Sequence, residues 1–350
     1  MIRAVFFDLD DTLIPESAAI RGALAAACRP IEERLSLPSG ALAETLEAVG
    51  KASWRSLDHG GIEARFGVTW EECLWGVFGE ASRRQIPALP AAAAMLRATV
   101  FTDALAACGV RSPLAQELEA RFAAERRKRF APFPESAGLI QALRRRGLRL
   151  GCATNGASEV QREKLNASGT SGWFDAITVS GEEGIGKPDP RILERLCEQV
   201  GVCVDDAVYV GNSLARDAAA ARAAGMRSIH CDRFEPDEPH GVNLVLPAPD
   251  RVVFEVHGIL GWIDGWRAGR AFRVVDDART VVAVDEPRHE DGRFFVTRVG
   301  AELDGLRPAV RGPTALAALE AGVRGLRARG EGRGFRHEQG EPIDWDALLR

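Results

Sequence analysis

The chain has 350 residues, about twice the usual length of one domain, which makes two domains the first expectation. Hydrophobic residues make up 46% and charged residues 27% of the chain, a composition that argues against global disorder. The formal net charge of −5 removes any whole-chain electrostatic case for binding nucleic acid or an anionic membrane surface.

The cysteines indicate a reducing compartment. There are seven of them, an odd number, and no two form a C-x-x-C pair, so reduced thiols are the simplest interpretation. The chain begins with a strand-like run instead of a charged segment followed by an apolar one. No uninterrupted apolar stretch approaches the ~18 residues that a membrane-spanning helix needs. We therefore expect a cytoplasmic protein without a membrane span.

The first 130 residues contain one short strand and a long helical region. The apolar run Ala4–Phe7 stops at acidic residues, as expected for a buried parallel strand. Residues 15–130 are rich in Ala, Leu, Arg and Glu with helical spacing, and prolines divide them into several helices. We interpret Trp54, Trp70 and Trp75 as residues that pack these helices together.

From residue 131 onward, strands and helices alternate. The predicted strands are Leu148–Ala153, Ala176–Ser180, Ala207–Val210 and Arg227–Cys231, and the predicted helices are Ser136–Arg146, Ser158–Ser168, Pro190–Val200 and Ala215–Ala224. This alternation makes βαβ units, hence a parallel sheet with helices on both faces. The sequence therefore predicts an α/β, doubly wound core of residues 1–14 and 131–264, interrupted after its first strand by an all-helical cap of residues 15–130.

Residues 265–350 do not continue this pattern. Antiparallel strands are predicted over Ala271–Val275, Thr280–Val284 and Arg293–Val299, followed by a helix over Thr314–Arg329. A Gly-rich polar stretch then runs to Gly340, which we interpret as a loosely ordered tail. The segment is predicted to be a small α+β extension, and the sequence suggests no role for it.

Polar residues follow four successive strands of the predicted core. They are Asp8, Asp10 and Thr12 after the first strand, Thr154, Asn155 and Gly156 after the second, Gly186, Lys187 and Pro188 beyond the third, and Asn212, Ser213 and Asp217 after the fourth. Any one of these groups could be a turn, a helix cap or a solvated residue. Because ligands of open α/β sheets bind outside the carboxyl ends of the strands, the four groups together predict one crevice. Carboxylates, a hydroxyl and an ammonium in one crevice are typical of phosphoryl transfer.

The residue types suggest a mechanism for this crevice. The carboxylate of Asp8 can attack phosphorus and form an aspartyl-phosphate. Asp10 lies one strand period further on, so it can protonate the leaving oxygen as an acid and then activate water as a base. Thr154 and Lys187 are predicted to hold the phosphoryl oxygens, with help from the backbone amide of Asn155.

A cation is needed beside these carboxylates. Two carboxylates and a dianionic phosphate repel one another, and Mg²⁺ prefers hard oxygen ligands of this kind. The predicted ligands are Asp8, the backbone carbonyl of Asp10, and Asp217.

The order of these motifs resembles that of the haloacid dehalogenase (HAD) superfamily of phosphohydrolases, over roughly residues 1–260. The resemblance implies a Rossmann-like core with a helical cap inserted between the first and second motifs. It implies that Asp8 is the nucleophile and Asp10 the acid and base, that Thr154 and Lys187 hold phosphate, and that Asp217 is a magnesium ligand.

A narrower likeness concerns the second motif and the helix after it. The pattern Asn155-Gly156, Gln161, Lys164-Leu165 and Phe174-Asp175 is similar to the group that contains N-acylneuraminate-9-phosphatase and pyrimidine 5′-nucleotidases.

The fourth motif departs from the family pattern. It usually reads Gly-Asp-Ser, and this chain has Asn212 in the second position. The amide oxygen of Asn212 can still face the metal, but one negative charge is missing, so weaker Mg²⁺ affinity is expected. The presence of Asp10 favours a phosphatase over a dehalogenase, because cleavage of a carbon–halogen bond does not use an acid on the leaving group. The absence of membrane spans excludes a P-type ATPase.

The sequence therefore predicts a Mg²⁺-dependent phosphomonoester hydrolase that acts on a small phosphorylated metabolite. Two alternatives stay open, a phosphomutase of the same superfamily and a binding or regulatory protein that works through residues 265–350. No nucleic-acid or membrane partner is expected, and neither the substrate nor the oligomeric state is predicted.

Overall fold

A computed structural model describes most of residues 2–231 and short segments beyond them. The described ranges are 2–57, 61–110, 113–231, 251–253, 259–260, 263, 272–275, 281–285, 294–299, 310–312 and 336–337. The strands are β1 Ala4–Phe7, β2 Arg149–Thr154, β3 Ala176–Val179, β4 Ala207–Gly211, β5 Arg227–Cys231, β6 Arg251–Val253, β7 Phe272–Val275, β8 Val281–Asp285, β9 Phe294–Val299, β10 Val310–Gly312 and β11 Arg336–His337.

The helices fall into two sets, separated by β2. Those before it are α1 Glu16–Leu35, α2 Ala41–Leu57, α3 Ile62–Phe66, α4 Trp70–Trp75, α5 Glu80–Gln85, α6 Leu89–Ala107, α7 Ala115–Arg127 and α8 Ser136–Arg145. Those after it are α9 Ser158–Ala167, α10 Ser180–Glu183, α11 Arg191–Val200 and α12 Ala219–Ala224. A π-helical turn, Leu214–Ala218, precedes α12.

The larger sheet is parallel and has β1 at its centre. Its six strands lie in the order β3-β2-β1-β4-β5-β6, which confirms the predicted α/β architecture. All four residues of β1 are buried, as both faces of a parallel strand must be when helices cover them. Phe7 is paired with Cys152 on one side and with Val210 on the other. The residues that follow these three strands therefore leave the sheet at the same edge.

Side chains of β1 alternate between two apolar clusters, one on each face of the sheet. Val5 and Phe7 pack with residues of α8 and α9, including Leu143. Phe6 packs on the opposite face with residues of α11 and α12, including Leu196. This period-2 alternation is the reason that one short strand organises both helical layers.

The helices α1 to α7 lie between β1 and α8 in the chain, and all of them except α5 contribute residues to one apolar cluster. Trp54, Trp70 and Trp75 are buried in it, as predicted. In the described part of the chain, α6 alone has the length and the mean hydropathy, 1.2, of a membrane-spanning helix. Its residues Leu96 and Val100 are buried in this cluster.

Most predicted strand and helix boundaries agree with the structure within one or two residues. The exception is the predicted helix Ala215–Ala224, which begins as a wider π turn. The physical reason is a local cap, in which Ser213 Oγ accepts from the amide of Arg216 at 3.2 Å. The carbonyl of Ser213 also accepts from the amide of Ala218 at 3.2 Å, a bond that spans five residues.

The described strands of residues 265–350 form a second sheet. Its order is β10-β9-β8-β7-β11, and the neighbouring strands in it pair antiparallel. The three predicted strands are confirmed within about one residue each, and β10 was not predicted. The expectation of a loosely ordered tail is wrong for β11, because Arg336–His337 pairs with β7. The predicted helix Thr314–Arg329 lies outside the described residues.

The contact between α2 and α4 supplies a test of the packing among the inserted helices. A methyl group at Gly50 would lie 2.2 Å from Cε3 of Trp70, so Gly50→Ala should force the two helices apart. We expect a loss of about 1–3 kcal/mol in the free energy of unfolding, measured by urea denaturation. Gly138→Ala is the matched control, because Gly138 lies in α8 with no atom within 4 Å of its added methyl group. That variant should gain about 0.5–1 kcal/mol. Equal stability of the Gly50→Ala variant and the wild type would contradict this packing.

Candidate active site

One cavity lies at the edge where β1, β2 and β4 end. Its volume is about 270 Å³. It is lined by six of the predicted site residues, which are Asp8, Asp10, Asn155, Lys187, Asn212 and Asp217. The other lining residues are Asp11, Glu16, Ser17, Ile20, Gly67, Thr69, Glu71, Glu72, Lys164, Ser213 and Arg216. Thr154, the remaining predicted residue, does not line it.

Lys187 joins the two carboxylates that the sequence motifs place furthest apart. Its Nζ lies 2.6 Å from Oδ1 of Asp8 and 2.7 Å from Oδ1 of Asp217. It also donates to the hydroxyl of Tyr209 at 2.8 Å, and that hydroxyl donates to the carbonyl of Ala153. The ammonium is only 2% exposed, so nearly all of its solvation comes from these groups.

Burial and the ion pair between Asp8 and Lys187 have opposite effects on the pKa values of these two residues. Burial raises the pKa of Asp8 to about 7, and the carboxylates of Asp217 and Asp10 add to this, while Lys187 opposes it. Burial alone would lower the pKa of Lys187, but the carboxylates of Asp217 and Asp8 outweigh it, so the pKa is raised. The lysine therefore stays cationic in a site that carries more negative than positive charge.

The backbone of the Lys187 loop is held by Asn155. The amide group of Asn155 donates to the carbonyl of Lys187 at 2.8 Å and accepts from its backbone N–H at 2.9 Å. These paired bonds occupy both ends of the Asn155 side chain. Its predicted contribution to phosphate binding therefore depends on the backbone amide, as the sequence suggested, and the side chain positions Lys187.

Thr154 ends β2 inside the protein. It is fully buried, and its hydroxyl has a long 3.5 Å hydrogen bond to the carbonyl of Asn155. It is thus near the predicted crevice in sequence and sheet position, but its side chain is turned to the adjacent backbone.

Asp217 approaches the sheet because the fourth motif begins with glycine. A methyl group at Gly211 would lie 2.4 Å from the carboxyl carbon of Asp217, so no side chain fits there. The carboxylate also accepts from the amide of Ser213 at 2.9 Å. Nearby, the hydroxyl of Thr12 lies 3.3 Å from Oδ2 of Asp8 and 3.5 Å from Oδ1 of Asn212.

A second buried lysine holds Asp10. Nζ of Lys164, on α9, lies 3.0 Å from Oδ2 of Asp10, 3.0 Å from Oε1 of Glu16 and 3.2 Å from Oε1 of Glu72. Gln161, one turn earlier on α9, donates to the same oxygen of Asp10 at 3.1 Å and to Glu72 at 3.0 Å. Oδ1 of Asp10 is buried with no hydrogen-bond partner in the described part of the chain. One oxygen of Asp10 is thus fixed, and the other is available.

This second cluster connects the inserted helices to the core. Glu16 begins α1 and Glu72 lies on α4, whereas Lys164 belongs to α9 of the core. Arg126 on α7 forms an ion pair with Glu16 and is fully buried, with its guanidinium 4.5 Å from the ring centre of Phe130. Burial opposes ionisation of Glu16, but Lys164 and Arg126 outweigh it and lower the pKa.

The structure adds residues that the motifs did not single out as functional. Tyr209, Glu16, Glu72 and Arg126 were missed, and Lys164 was noted only as part of a family likeness. Two signals were present in the sequence. Tyr209 is the single tyrosine of the chain, two residues before the fourth motif. Lysines are also scarce, with four in the chain; Lys164 and Lys187 are buried, and Lys51 and Lys128 are exposed.

The donor set of the cavity fits a hard divalent cation better than a soft one. Asp8 and Asp217 supply carboxylate oxygens, and Asn212 supplies an amide oxygen. Oxygen donors of this type suit Mg²⁺. Within the described residues there is no cluster of three or more His, Cys, Asp or Glu side chains arranged to hold a metal ion. A cation here would thus rely on two carboxylates together with amide and backbone oxygens.

Glu72 supplies a test of the cluster around Lys164. Burial raises its pKa to about 7 from an ordinary value of 4.5, although Lys164 opposes the shift. The folded state therefore binds more protons than the unfolded state between these values, and the contribution of Glu72 to stability falls as pH rises through that window. Glu72→Gln keeps the acceptor for Lys164 and removes the titration. The free energy of unfolding of the Glu72→Gln variant minus that of the wild type should rise by about 1–3 kcal/mol between pH 5 and pH 8, because only the wild type loses the contribution of Glu72.

The measurement is urea denaturation at several pH values. Glu80→Gln is the surface control for the loss of one carboxyl group, because Glu80 is exposed on α5. A stability difference between wild type and Glu72→Gln that does not change with pH would show that Glu72 is not buried beside Lys164.

Comparisons with known proteins agree with this geometry. The sequence profile of the haloacid dehalogenase-like hydrolases matches residues 2–225. Phosphoserine phosphatase from Thermus thermophilus is 34% identical over 241 residues, which are 68% of this chain and 92% of that protein. N-acylneuraminate-9-phosphatase from Homo sapiens is 26% identical over 230 residues, 65% of this chain and 81% of that protein. The predicted likeness to the second enzyme's group is therefore confirmed.

A solved structure shares the fold. The HAD hydrolase YfnB from Bacillus subtilis superposes with a TM-score of 0.50 at 20% sequence identity, covering 75% of this chain and 99% of that one. The profile match extends over more than half of the chain, and the relatives that align with it are named as phosphatases. The chain therefore belongs to the haloacid dehalogenase-like hydrolase family, and it is a phosphatase.

Proposed function

We propose that this phosphatase hydrolyses phosphomonoesters of small metabolites with the help of Mg²⁺, through an aspartyl-phosphate on Asp8. The observation that carries the proposal is that Asp8 and Asp10 line one cavity while a different buried lysine holds each. Two carboxylates with separate supports can take separate roles, one as nucleophile and the other as acid and base.

In the first step, a carboxylate oxygen of Asp8 attacks phosphorus and the ester bond to the leaving oxygen breaks. Oδ1 of Asp8 is held by Lys187, and Oδ2 has only a long hydrogen bond from Thr12, so Oδ2 is the freer atom for attack. Asp10, in its protonated form, gives its proton to the leaving oxygen. Its unpartnered Oδ1 is the atom suited to that transfer.

In the second step, water attacks phosphorus of the aspartyl-phosphate. Asp10, now ionised, accepts a proton from that water, and the bond between phosphorus and Asp8 breaks to release phosphate. Lys187 would offset negative charge on the phosphoryl oxygens, together with the backbone amide of Asn155. The hydroxyl of Thr154 would take part only if it turned away from the carbonyl of Asn155.

Mg²⁺ would be held by Asp8, Asp217, the amide oxygen of Asn212 and the backbone carbonyl of Asp10. When bound, it supplies positive charge that offsets the repulsion between these carboxylates and the phosphoryl group. Seven carboxylates and three cationic side chains line the cavity, and this excess of negative charge supports a need for a further cation.

We also propose the arrangement of the parts. Residues 1–14 and 131–264 would form the catalytic core, residues 15–130 a cap that closes over it, and residues 265–350 an extension. Gly67, Thr69 and Glu72, which lie in the inserted region, line the cavity, and this supports a cap that excludes water from the site. The relatives are named phosphoserine phosphatase and N-acylneuraminate-9-phosphatase. Because these names give different substrates, we propose only a substrate class, small phosphorylated metabolites. We also propose that the enzyme acts in the cytoplasm.

Replacement of the nucleophile is the first test. Asp8→Asn should lower kcat for p-nitrophenyl phosphate by at least about 1,000-fold, because the amide cannot attack phosphorus. Phosphate release by the wild type should require Mg²⁺. Asp103→Asn, on the exposed face of α6, is the matched control and should match the wild type.

Absence of Mg²⁺-dependent turnover by the wild type, or turnover that survives in Asp8→Asn, would contradict the proposal. Isomerisation of a hexose phosphate without phosphate release would indicate a phosphomutase instead.

The metal site has its own test in Asn212. Asn212→Asp restores the missing carboxylate, and ligand charge increases the affinity for a hard cation. We expect the Mg²⁺ concentration for half-maximal activity to fall by about 3- to 10-fold. Asn166→Asp, which adds a carboxyl group on the exposed surface of α9 away from the cavity-lining residues, controls for net charge. An unchanged or higher Mg²⁺ requirement in Asn212→Asp would show that this side chain does not face the cation.

A further inference from the structure

Two donors on α9 share the same pair of carboxylate oxygens. Nζ of Lys164 lies 3.0 Å from Oδ2 of Asp10 and 3.2 Å from Oε1 of Glu72. Nε2 of Gln161 lies 3.1 Å from the same oxygen of Asp10 and 3.0 Å from the same oxygen of Glu72. Residues three apart lie on one face of a helix, so a single face of α9 fixes Asp10 and Glu72 together.

These contacts determine which oxygen of Asp10 can carry a proton. Oδ2 accepts from both Gln161 and Lys164, whereas Oδ1 has no hydrogen-bond partner in the described part of the chain. An oxygen that accepts two hydrogen bonds is a poor place for the proton of a carboxylic acid. In the acid form of Asp10 the proton is therefore carried by Oδ1.

The amide of Gln161 is also fixed to the second motif. Its Nε2 donates to the carbonyl of Asn155 at 2.8 Å, and a methyl group at Gly156 would lie 2.2 Å from the same atom. The glycine of this motif therefore leaves the space that Gln161 occupies. Gln161 and Lys164 are both buried, so water cannot easily replace either donor if it is removed.

We propose that Gln161 and Lys164 are positioning residues that hold Asp10 for proton transfer to the leaving oxygen. Glu72, on the inserted helix α4, keeps both donors in place. This inference rests on the proposed function. In the step concerned, the bond between phosphorus and the leaving oxygen breaks, and that oxygen takes the electron pair of the bond and the proton from Oδ1 of Asp10. Gln161 and Lys164 keep their own protons throughout.

The leaving group distinguishes this role from a purely structural one. A basic leaving oxygen needs a proton as its bond to phosphorus breaks, whereas a phenolate with strongly electron-withdrawing substituents departs with little help from an acid. Displacement of Asp10 should therefore cost more with phenyl phosphate than with 2,4-dinitrophenyl phosphate. A general loss of folded or closed enzyme would lower kcat/KM for both esters by the same factor. The quantity to measure is the ratio of kcat/KM for phenyl phosphate over the dinitrophenyl ester, with Mg²⁺ present.

Gln161→Met is the principal variant, because it removes the donor without changing the charge of the cluster and keeps a side chain of similar length. It should lower the ratio by about 10- to 100-fold. Lys164→Met should lower the ratio in the same direction, and Glu72→Met should do so by a smaller factor. Gln141→Met and Lys51→Met, on the exposed surfaces of α8 and α2, are the matched controls and should keep the wild-type ratio.

A double-mutant cycle tests whether Gln161 acts through Asp10. Asp10→Asn removes the acid and should itself lower the ratio. Addition of Gln161→Met to Asp10→Asn should lower the ratio no further, because no acid is left to position. Thermal unfolding of each variant checks that the fold is kept. Lys164→Met leaves three buried carboxylates without this cation, so Gln161→Met and Glu72→Met decide the question if that variant does not fold.

The outcomes separate this inference from the proposed function. If the wild type hydrolyses both esters but Gln161→Met keeps the wild-type ratio, the positioning role is overturned and the proposed function is kept. A further fall in the ratio when Gln161→Met is added to Asp10→Asn would also overturn it, since Gln161 would then act independently of Asp10. If the wild type hydrolyses neither ester in the presence of Mg²⁺, the proposed function fails and this inference fails with it.

Discussion

Two buried lysines facing an excess of carboxylates are the constraint on which this site depends. Lys187 joins Asp8 to Asp217, and Lys164 joins Asp10 to Glu16 and Glu72. Each ammonium is almost completely withdrawn from water, which is costly unless oppositely charged groups replace the lost solvation. The carboxylates that serve as partners are the groups proposed for chemistry. Catalytic geometry and charge compensation are therefore provided by the same contacts.

The two clusters differ in what they connect. The side chains that contact Lys187 belong to β4, to the segment after β1 and to the π-helical turn before α12, so the proposed phosphate-binding corner lies at the sheet edge. The cluster around Lys164 includes Glu16 on α1 and Glu72 on α4, so the support of Asp10 includes the inserted helices. If those helices move as a cap, as we propose, the surroundings of Asp10 change while those of Asp8 are kept. Acid and base chemistry would then depend on closure.

The sequence was sufficient to predict the parallel sheet and the meeting of six polar motif residues at one edge of it. β1, β2 and β4 are short apolar runs, and motif residues follow each of them, so convergence at one edge could be deduced from the geometry of parallel strands. Contacts made across the sequence were harder to predict. The pairing of Lys164 with Glu72 joins residues 92 positions apart, and neither residue stands in a motif of the strand ends. Thr154 shows the converse case, because a side chain in the right motif is turned to the backbone of Asn155.

The central claim is that Asp8 carries the phosphoryl group during turnover, and rapid-quench mass spectrometry tests it most directly. The wild-type enzyme would be mixed with p-nitrophenyl phosphate and Mg²⁺, quenched in acid within the first turnover and digested. The account predicts a peptide that contains Asp8 with the added mass of one phosphoryl group, and fragmentation that places that mass on Asp8. Phosphate release with no phosphorylated peptide at any quench time, or a phosphoryl group on another residue, would contradict it.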